Sequence, residues 1–161
     1  MYKKLKLCFG IIIFIAVVTV AAVMFFQNKP IVERVSNPRI AFISATVGQD
    51  GAAYDCDIFE SDISDELNGA LISLFLKSEM KRTCFPPSQI YTVSEDSVYI
   101  TIKILLDNSD SAPMFVNLCT IPQYNSAQIG GTYYHIIDHQ KLYEDVYGLL
   151  SNVISTYAEK R

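Results

Sequence analysis

The sequence has few of the residues that build common active sites. It contains two histidines, and its four cysteines form no Cys-x-x-Cys pair. Zinc and dithiol redox centres need such closely spaced ligands, and hydrolytic sites need a nucleophile beside a base. A nucleophile elbow, an internal repeat and a low-complexity tract are also missing. We therefore predict no catalytic, cofactor-binding or metal site, and we expect a protein that is not an enzyme.

Acidic residues are absent from the first 26 positions, where the only charges are Lys3, Lys4 and Lys6. All 17 acidic residues and the other ten basic residues follow, which gives the remainder a net charge of −7. An acidic domain repels the phosphate backbone of nucleic acids. The charge distribution therefore predicts no nucleic-acid partner.

A charge-free apolar run, CFGIIIFIAVVTVAAVMFF, occupies residues 8–26. About 20 apolar residues in a helix span a hydrocarbon core roughly 30 Å thick. Lysines before such a segment keep the N-terminus inside. The pattern predicts a basic cytoplasmic tail (1–7), a transmembrane helix (8–26) in contact with the lipid bilayer, and a single-pass protein of the cell membrane whose C-terminal domain is extracellular.

A cleaved signal peptide is the competing interpretation of the same run. The sequences Thr19-Val20-Ala21 and Val20-Ala21-Ala22 are weak small-residue sites, but they lie inside the apolar run. Cys8 lies at the start of that run, whereas lipid attachment requires a cysteine at its end. These positions favour an uncleaved signal-anchor over a signal peptide or a lipoprotein.

The residues after the apolar run separate into a linker (27–38) and a domain (39–161). The linker is polar and bounded by prolines, although Ile31 and Val32 are compatible with the start of a strand. Residues 40–47 and 52–59 then predict a β-hairpin around a glycine-containing turn. Apolar residues spaced by three and four predict a helix over residues 62–82, with Pro86 and Pro87 beyond its end.

The second half of the domain predicts strands followed by a helix. Segments 90–93 and 98–106 form a predicted hairpin, and segments 114–121 and 132–137 are further predicted strands. In the segment 98–106, Tyr99, Thr101 and Lys103 alternate with β-branched residues. One face of the predicted sheet is therefore buried and the other is partly exposed to water. Residues 139–159 form an amphipathic helix. The predicted fold is α+β, with an antiparallel sheet of about five strands packed by two helices in the order β-β-α-β-β-β-α.

Three cysteines follow the apolar run, namely Cys56, Cys84 and Cys119. An odd number allows at most one disulfide, and sequence spacing does not select a pair. A Cys56–Cys84 bridge would clip the first domain helix at both ends. Small buried cysteines, which behave as apolar residues, are the alternative.

His135 and His139 form an H-x-x-D-H pattern with Asp138, similar to an inverted zinc-protease motif. That chemistry needs both histidines on one helical face together with a third ligand. Here His135 lies in a predicted strand and His139 in the turn that follows, so we expect the two side chains to diverge. Asp138 is better interpreted as the N-cap of the last helix.

The acidic residues between positions 50 and 66 partly match a calcium loop. Asp55, Asp57 and Glu66 fall at loop positions 1, 3 and 12, but Phe59 and Glu60 occupy positions that require a ligand and a glycine. A solvated acidic rim is the favoured interpretation. Weak calcium binding stays open.

Other combinations carry little specificity. Cys119, His135 and Asp138 have the residue types of a nucleophile, a base and an acid, but no local sequence signature supports that combination. A set of tyrosines suits either an exposed recognition surface or the outer sheet face and the helix–sheet seam. The set comprises Tyr91, Tyr99, Tyr133, Tyr134, Tyr143 and Tyr147.

Two segments resemble small extracytoplasmic domains of unknown function on membrane-anchored proteins and lipoproteins of Gram-positive bacteria. The first is Ser61-Asp62-Ile63-Ser64-Asp65-Glu66-Leu67 at the start of a helix. The second runs from Gly131-Thr132-Tyr133-Tyr134-His135-Ile136-Ile137 into Leu142-Tyr143-Glu144-Asp145-Val146-Tyr147. The resemblance implies no activity and carries no functional residues.

The sequence thus predicts a membrane-tethered interaction or sensory module with an envelope or membrane protein as partner. The alternative is a cell-envelope hydrolase acting on wall or peptide substrates. The partner, the ligand and the oligomeric state are not determined by the sequence.

Overall fold

The computed structural model describes residues 2–32, 37–49, 52–84, 97–106 and 112–158. The helices are α1 (Tyr2–Phe25), α2 (Asp65–Lys77) and α3 (His139–Ala158). The strands are β1 (Lys29–Pro30), β2 (Arg39–Gln49), β3 (Ala52–Phe59), β4 (Glu79–Arg82), β5 (Val98–Leu105), β6 (Met114–Cys119), β7 (Ser126–Ile129) and β8 (Thr132–Ile136).

All eight strands belong to one antiparallel sheet in the order β1-β4-β8-β7-β6-β5-β2-β3. The prediction of about five strands is therefore wrong. Strand β1 lies in the segment predicted as a linker, β4 lies in the predicted end of the first domain helix, and β7 was not predicted. The predicted strand 90–93 lies outside the described residues.

Helix α2 is shorter than its apolar pattern predicts. At its start the Ser64 side chain accepts a hydrogen bond from the backbone N–H of Leu67 at 3.2 Å. At its end the Ser78 hydroxyl donates to the carbonyl of Leu74 at 2.9 Å, and the backbone becomes extended. The helix therefore stops at Lys77, and the next four residues join the sheet as β4.

One face of the sheet and both domain helices enclose the core. Helix α2 contributes Leu71 and Phe75, which are fully buried. Helix α3 contributes Leu142, Val146, Leu150 and Ile154. The strands contribute alternate residues, including Ile43, Ile58, Ile100, Ile102, Val116, Leu118 and Ile136. This alternation leaves the opposite face of the sheet without a helix in the described part of the chain.

A β-bulge fixes α2 to the sheet. The register between β2 and β5 shifts between Ile40 and Phe42, so Ala41 is the extra residue. The backbone N–H of Ile40 then donates to the Asn68 side chain of α2 at 2.9 Å. A bulge removes a ladder partner, and here a helix side chain supplies the replacement.

The segment after α1 packs against the domain. Lys29 and Pro30 pair with Met80 and Glu79 of β4, and the next two residues, Ile31 and Val32, are 1% exposed. Residues 29–32 therefore belong to the packed structure, but the strand ends at Pro30, so Ile31 and Val32 do not begin a strand.

The predicted transmembrane helix over residues 8–26 needs correction. In the part of the chain that the structure describes, no helix is both long enough and apolar enough to cross a membrane. A membrane-spanning helix needs about 20 consecutive apolar residues to cross a hydrocarbon core of about 30 Å. The finding overturns the transmembrane helix, the signal-anchor and the single-pass localisation in the cell membrane.

The structure also distinguishes between the two interpretations of the cysteines, a disulfide or small buried side chains. None of Cys56, Cys84 and Cys119 forms a disulfide; Cys56 and Cys119 are buried, and Cys84 is exposed. The two buried cysteines thus match the interpretation as small apolar residues.

Candidate functional site

The open face of the sheet, opposite α2 and α3, is the candidate site. We define it by the outward side chains of β2 to β8. They are Phe42, Ser44, Thr46, Asp55, Asp57, Phe59, Lys81, Tyr99, Thr101, Lys103, Phe115, Asn117, Cys119, Ser126, Gln128, Tyr133 and His135. Two of them, Cys119 and Ser126, are buried, whereas the others are half-buried or exposed. In β5 the burial alternates strictly, with Tyr99, Thr101 and Lys103 on the less buried side as predicted.

Seven residues of this face lie side by side in the register of the sheet. In spatial order they are Asp57, Ser44, Thr101, Asn117, Ser126, His135 and Lys81, each from a different strand. All seven are polar, and we call them the polar row. Neighbouring strands are about 4.8 Å apart, so the row is roughly 29 Å long.

Hydrogen bonds order the polar row. Ser44 donates to Asp57 at 2.7 Å, and Thr101 donates to Asn117 at 3.0 Å. The Asn117 amide in turn donates to the Ser126 hydroxyl at 3.4 Å. One end of the row carries the exposed carboxylate of Asp57, and the other carries the exposed His135 and Lys81. The row is therefore a fixed polar surface with an acidic end and a basic end.

A second row on the same face is rich in aromatic residues. It consists of Phe59, Phe42, Lys103, Phe115, Gln128 and Tyr133 in consecutive register pairs. The rings of Phe42 and Phe59 are 5.4 Å apart, and Phe59 is 58% exposed. We call these residues the aromatic row. Aromatic contact area beside aligned hydrogen-bonding groups is the composition typical of protein interfaces.

The two histidines do not diverge as expected. The ring centroids of His135 and His139 are 5.7 Å apart. Between them Asp138 has a φ of 53°, a left-handed conformation that folds the start of α3 back over the end of β8. The carbonyl of Asp138 accepts the bond from the N–H of Leu142 at 3.1 Å, consistent with an N-cap position. Sequence spacing did not reveal this reversal of the chain.

Metal ligands do not accumulate around this pair. Within the described residues, no group of three or more His, Cys, Asp or Glu side chains is placed to hold a metal ion. The partial calcium-loop match is also dispersed, because Asp55 and Asp57 lie on β3 and Glu66 lies on α2. Asp55 accepts a hydrogen bond from Thr46 at 2.7 Å, which parallels the Asp57 contact with Ser44.

The structure does not bring Cys119, His135 and Asp138 together as a catalytic nucleophile, base and acid. Cys119 is 2% exposed, and the backbone N–H of Ile121 lies 3.4 Å from its sulfur. His135 is two strands and two residues away from Cys119 in the register. Those spacings correspond to about 12 Å between the two Cα atoms, far beyond proton-transfer distance.

The tyrosines divide between surface and core. Tyr99 and Tyr133 are on the open face, Tyr134 and Tyr143 are buried, and Tyr147 is 37% exposed on α3. Tyr91 is outside the described residues. Burial raises the pKa of Tyr99, and burial together with Tyr147 and Cys119 raises the pKa of Tyr143 to about 12. Both phenols are therefore neutral at physiological pH and act as apolar contacts with a polar tip.

A surface cleft of about 430 Å³ lies between the end of α2 and the start of α3. Its charged lining residues are Lys77, Glu79, Asp138, Lys141 and Asp145. Lys141 forms an ion pair with Asp145 across one helical turn. Because the lining contains both cationic and anionic groups, the cleft has no uniform charge that would select an ionic ligand.

The polar row is the feature that sequence reasoning missed. Its members come from seven strands, and residues so far apart in the chain show no common spacing. Strand alternation predicts the outward side chains within one strand, but only the sheet order and register align them across strands. No family model, curated protein or solved structure matches this chain.

Proposed function

We propose that this protein is a non-enzymatic interaction module and that the open face of its sheet is the binding surface. The observation that carries the proposal is the pairing of the polar row with the aromatic row across six or more strands. The polar row offers hydrogen bonds held in place by its own neighbours, so a partner meets preorganised groups. The aromatic row supplies apolar contact area beside them.

The chemistry of the described residues also favours binding over catalysis. Cys119 is buried and lies about 12 Å from His135 between Cα atoms, so this pair is not placed for proton transfer. Proteins that bind through a sheet face use broad, fixed surfaces, whereas enzymes use concave sites with convergent perturbed groups.

The test is site-specific photocrosslinking of the full chain. A photoreactive side chain at Lys103, in the centre of the open face, should give a discrete adduct with a partner from the native source. The same group at Asn152, exposed on α3, is the positional control and should give none. An equal adduct pattern from both positions would contradict the proposal.

Competition supplies the second arm of the experiment. Unlabelled wild-type protein should abolish the Lys103 adduct, and a Phe115→Ala/Tyr133→Ala variant should compete at least several-fold less well. A Tyr147→Ala/Leu149→Ala variant removes exposed apolar area from α3 instead and should compete like wild type. A peptidase activity that is lost in His135→Ala would refute the non-enzymatic assignment.

A further inference from the structure

The two edges of the sheet are protected to very different degrees. At one edge β1 is two residues long and contains Pro30, which has no backbone N–H to donate. At the other edge β3 is eight residues long and pairs with β2 along its whole length. In the part of the chain that the structure describes, no strand or helix pairs with the outer edge of β3. Within these residues, the outer edge of β3 therefore meets no other strand.

Charge decides which strand fits that edge. Asp55 and Asp57 are exposed, and hydroxyl donors from Thr46 and Ser44 hold both carboxylates on the open face. A strand added to β3 would place its own alternate side chains beside these carboxylates. Cationic residues two apart would match both positions, since opposite charges on neighbouring strands attract.

A second copy of this chain fits the edge poorly. Antiparallel pairing of two β3 strands about Cys56 would set Asp55 of each copy opposite Asp57 of the other. Like charges directly opposite each other destabilise a strand pair. The acidic side chains thus disfavour self-association and favour a partner of opposite charge.

We propose that the outer edge of β3 accepts, as a ninth strand, an extended segment of a partner protein with Lys or Arg at alternate positions. The exposed Phe59 at the end of β3 offers an apolar contact to the end of that segment. The added strand extends the open face, so the inference rests on the proposed function and assigns the partner chemistry.

Synthetic eight-residue peptides test the proposal on the full chain. The first probe alternates Lys with Thr, the second alternates Glu with Thr, and the third is the Lys/Thr peptide with alternate backbone amides methylated. The Lys/Thr peptide should bind, the Glu/Thr peptide should not, and methylation should abolish binding because it removes ladder donors. Equal binding of the methylated peptide would reveal charge attraction alone and overturn the proposal.

Matched variants locate the site. Asp55→Asn/Asp57→Asn should weaken the Lys/Thr peptide by about 3- to 10-fold, the effect of two exposed cross-strand pairs. Glu144→Gln/Asp145→Asn makes the same change in charge on α3 and should leave binding unchanged. Amide exchange of residues 52–59 should slow on binding; if it slows elsewhere instead, the edge assignment is wrong.

Analytical sedimentation tests the remaining possibility, which is self-association of the protein through β3. Wild-type protein should not dimerise through β3, and Asp55→Asn/Asp57→Asn should increase self-association. A wild-type dimer that the Lys/Thr peptide disrupts would identify a second copy as the occupant and refute the proposal. Failure of all peptides with an intact Lys103 crosslink would reject the edge inference and leave the open-face function standing.

Discussion

The buried side chain of Asn125 is the most informative place to perturb this fold. Asn125 is 2% exposed and closes the connection between β6 and β7. Its side-chain oxygen accepts from the backbone N–H of Cys119 at 2.5 Å, and its amide donates to the Cys119 carbonyl at 3.1 Å. One side chain thus satisfies both backbone groups of a buried residue.

Replacing Asn125 with alanine removes both hydrogen bonds. Each buried polar group left without a partner costs about 1–3 kcal/mol. Water can reach part of this turn because the neighbouring Thr120 and Pro122 are exposed. We therefore expect Asn125→Ala to lower the free energy of unfolding by about 2–4 kcal/mol, below the full cost of two orphaned groups.

Urea unfolding followed by circular dichroism measures this change, with Asn152→Ala on the exposed side of α3 as the matched control. The control should change stability by less than about 0.5 kcal/mol, as exposed substitutions usually do. The m-value should stay constant in both variants. If Asn125→Ala were as mild as the control, the two bonds to Cys119 would not stabilise the native state and the reasoning would fail.

Two further predictions concern the core. Phe75→Ala removes a fully buried ring beneath the sheet and should cost about 3–5 kcal/mol in urea unfolding, whereas Phe75→Leu should cost clearly less; equal costs would contradict the packing. In the folded state the pKa of Tyr143 is about 12, against an ordinary value of 10, so the phenol keeps its proton to higher pH than in the unfolded chain. The protonated phenol contributes its full share of the free energy of unfolding below pH 10. That stabilisation is lost as pH rises toward about 12, because the tyrosine of the unfolded chain ionises first. After allowance for solvent screening we expect a loss of about 1–2 kcal/mol over that interval. Tyr143→Phe should flatten that part of the stability–pH curve, and an unchanged slope would exclude the mechanism.

The sequence predicts the strongly periodic elements well and the short ones poorly. The segments of β5 and α3 carry clear alternation or helical spacing, and the structure places both within one or two residues of the prediction. Strand β7 is Ser-Ala-Gln-Ile, with two small buried residues in succession. Such a segment has no apolar alternation, because its burial is imposed by β6 and β8 rather than by its own composition.

Strand β4 was missed for a different reason. Its sequence, Glu-Met-Lys-Arg, continues the helical pattern of α2 and ends in the cations that favour a helix C-terminus. The Ser78 hydroxyl contact and pairing with β8 outweigh that local preference. Sheet pairing depends on residues more than 50 positions away, which a local pattern does not contain.

The candidate site shows the same division. Alternation correctly assigned Tyr99, Thr101 and Lys103 to the less buried side of one strand. The polar row required the order of seven strands, and the approach of His135 to His139 required the positive φ of Asp138. Long-range register and a single unusual backbone angle are the two kinds of information that the sequence pattern lacked.

The position of β4 in the sheet has a consequence for how the chain acquires its structure. Met80 of β4 pairs with Ile136 of β8, 56 residues later in the chain. At a synthesis rate of about 5–20 residues per second, β4 waits roughly 3–11 s for its partner to be made. Strands β2, β3, β5 and β6 can associate during that interval, and β6 is then an edge strand of the partial sheet. The β7–β8 hairpin lies between β6 and β4 in the sheet order, so the part of the sheet that joins β6 to β4 is the last to be synthesised.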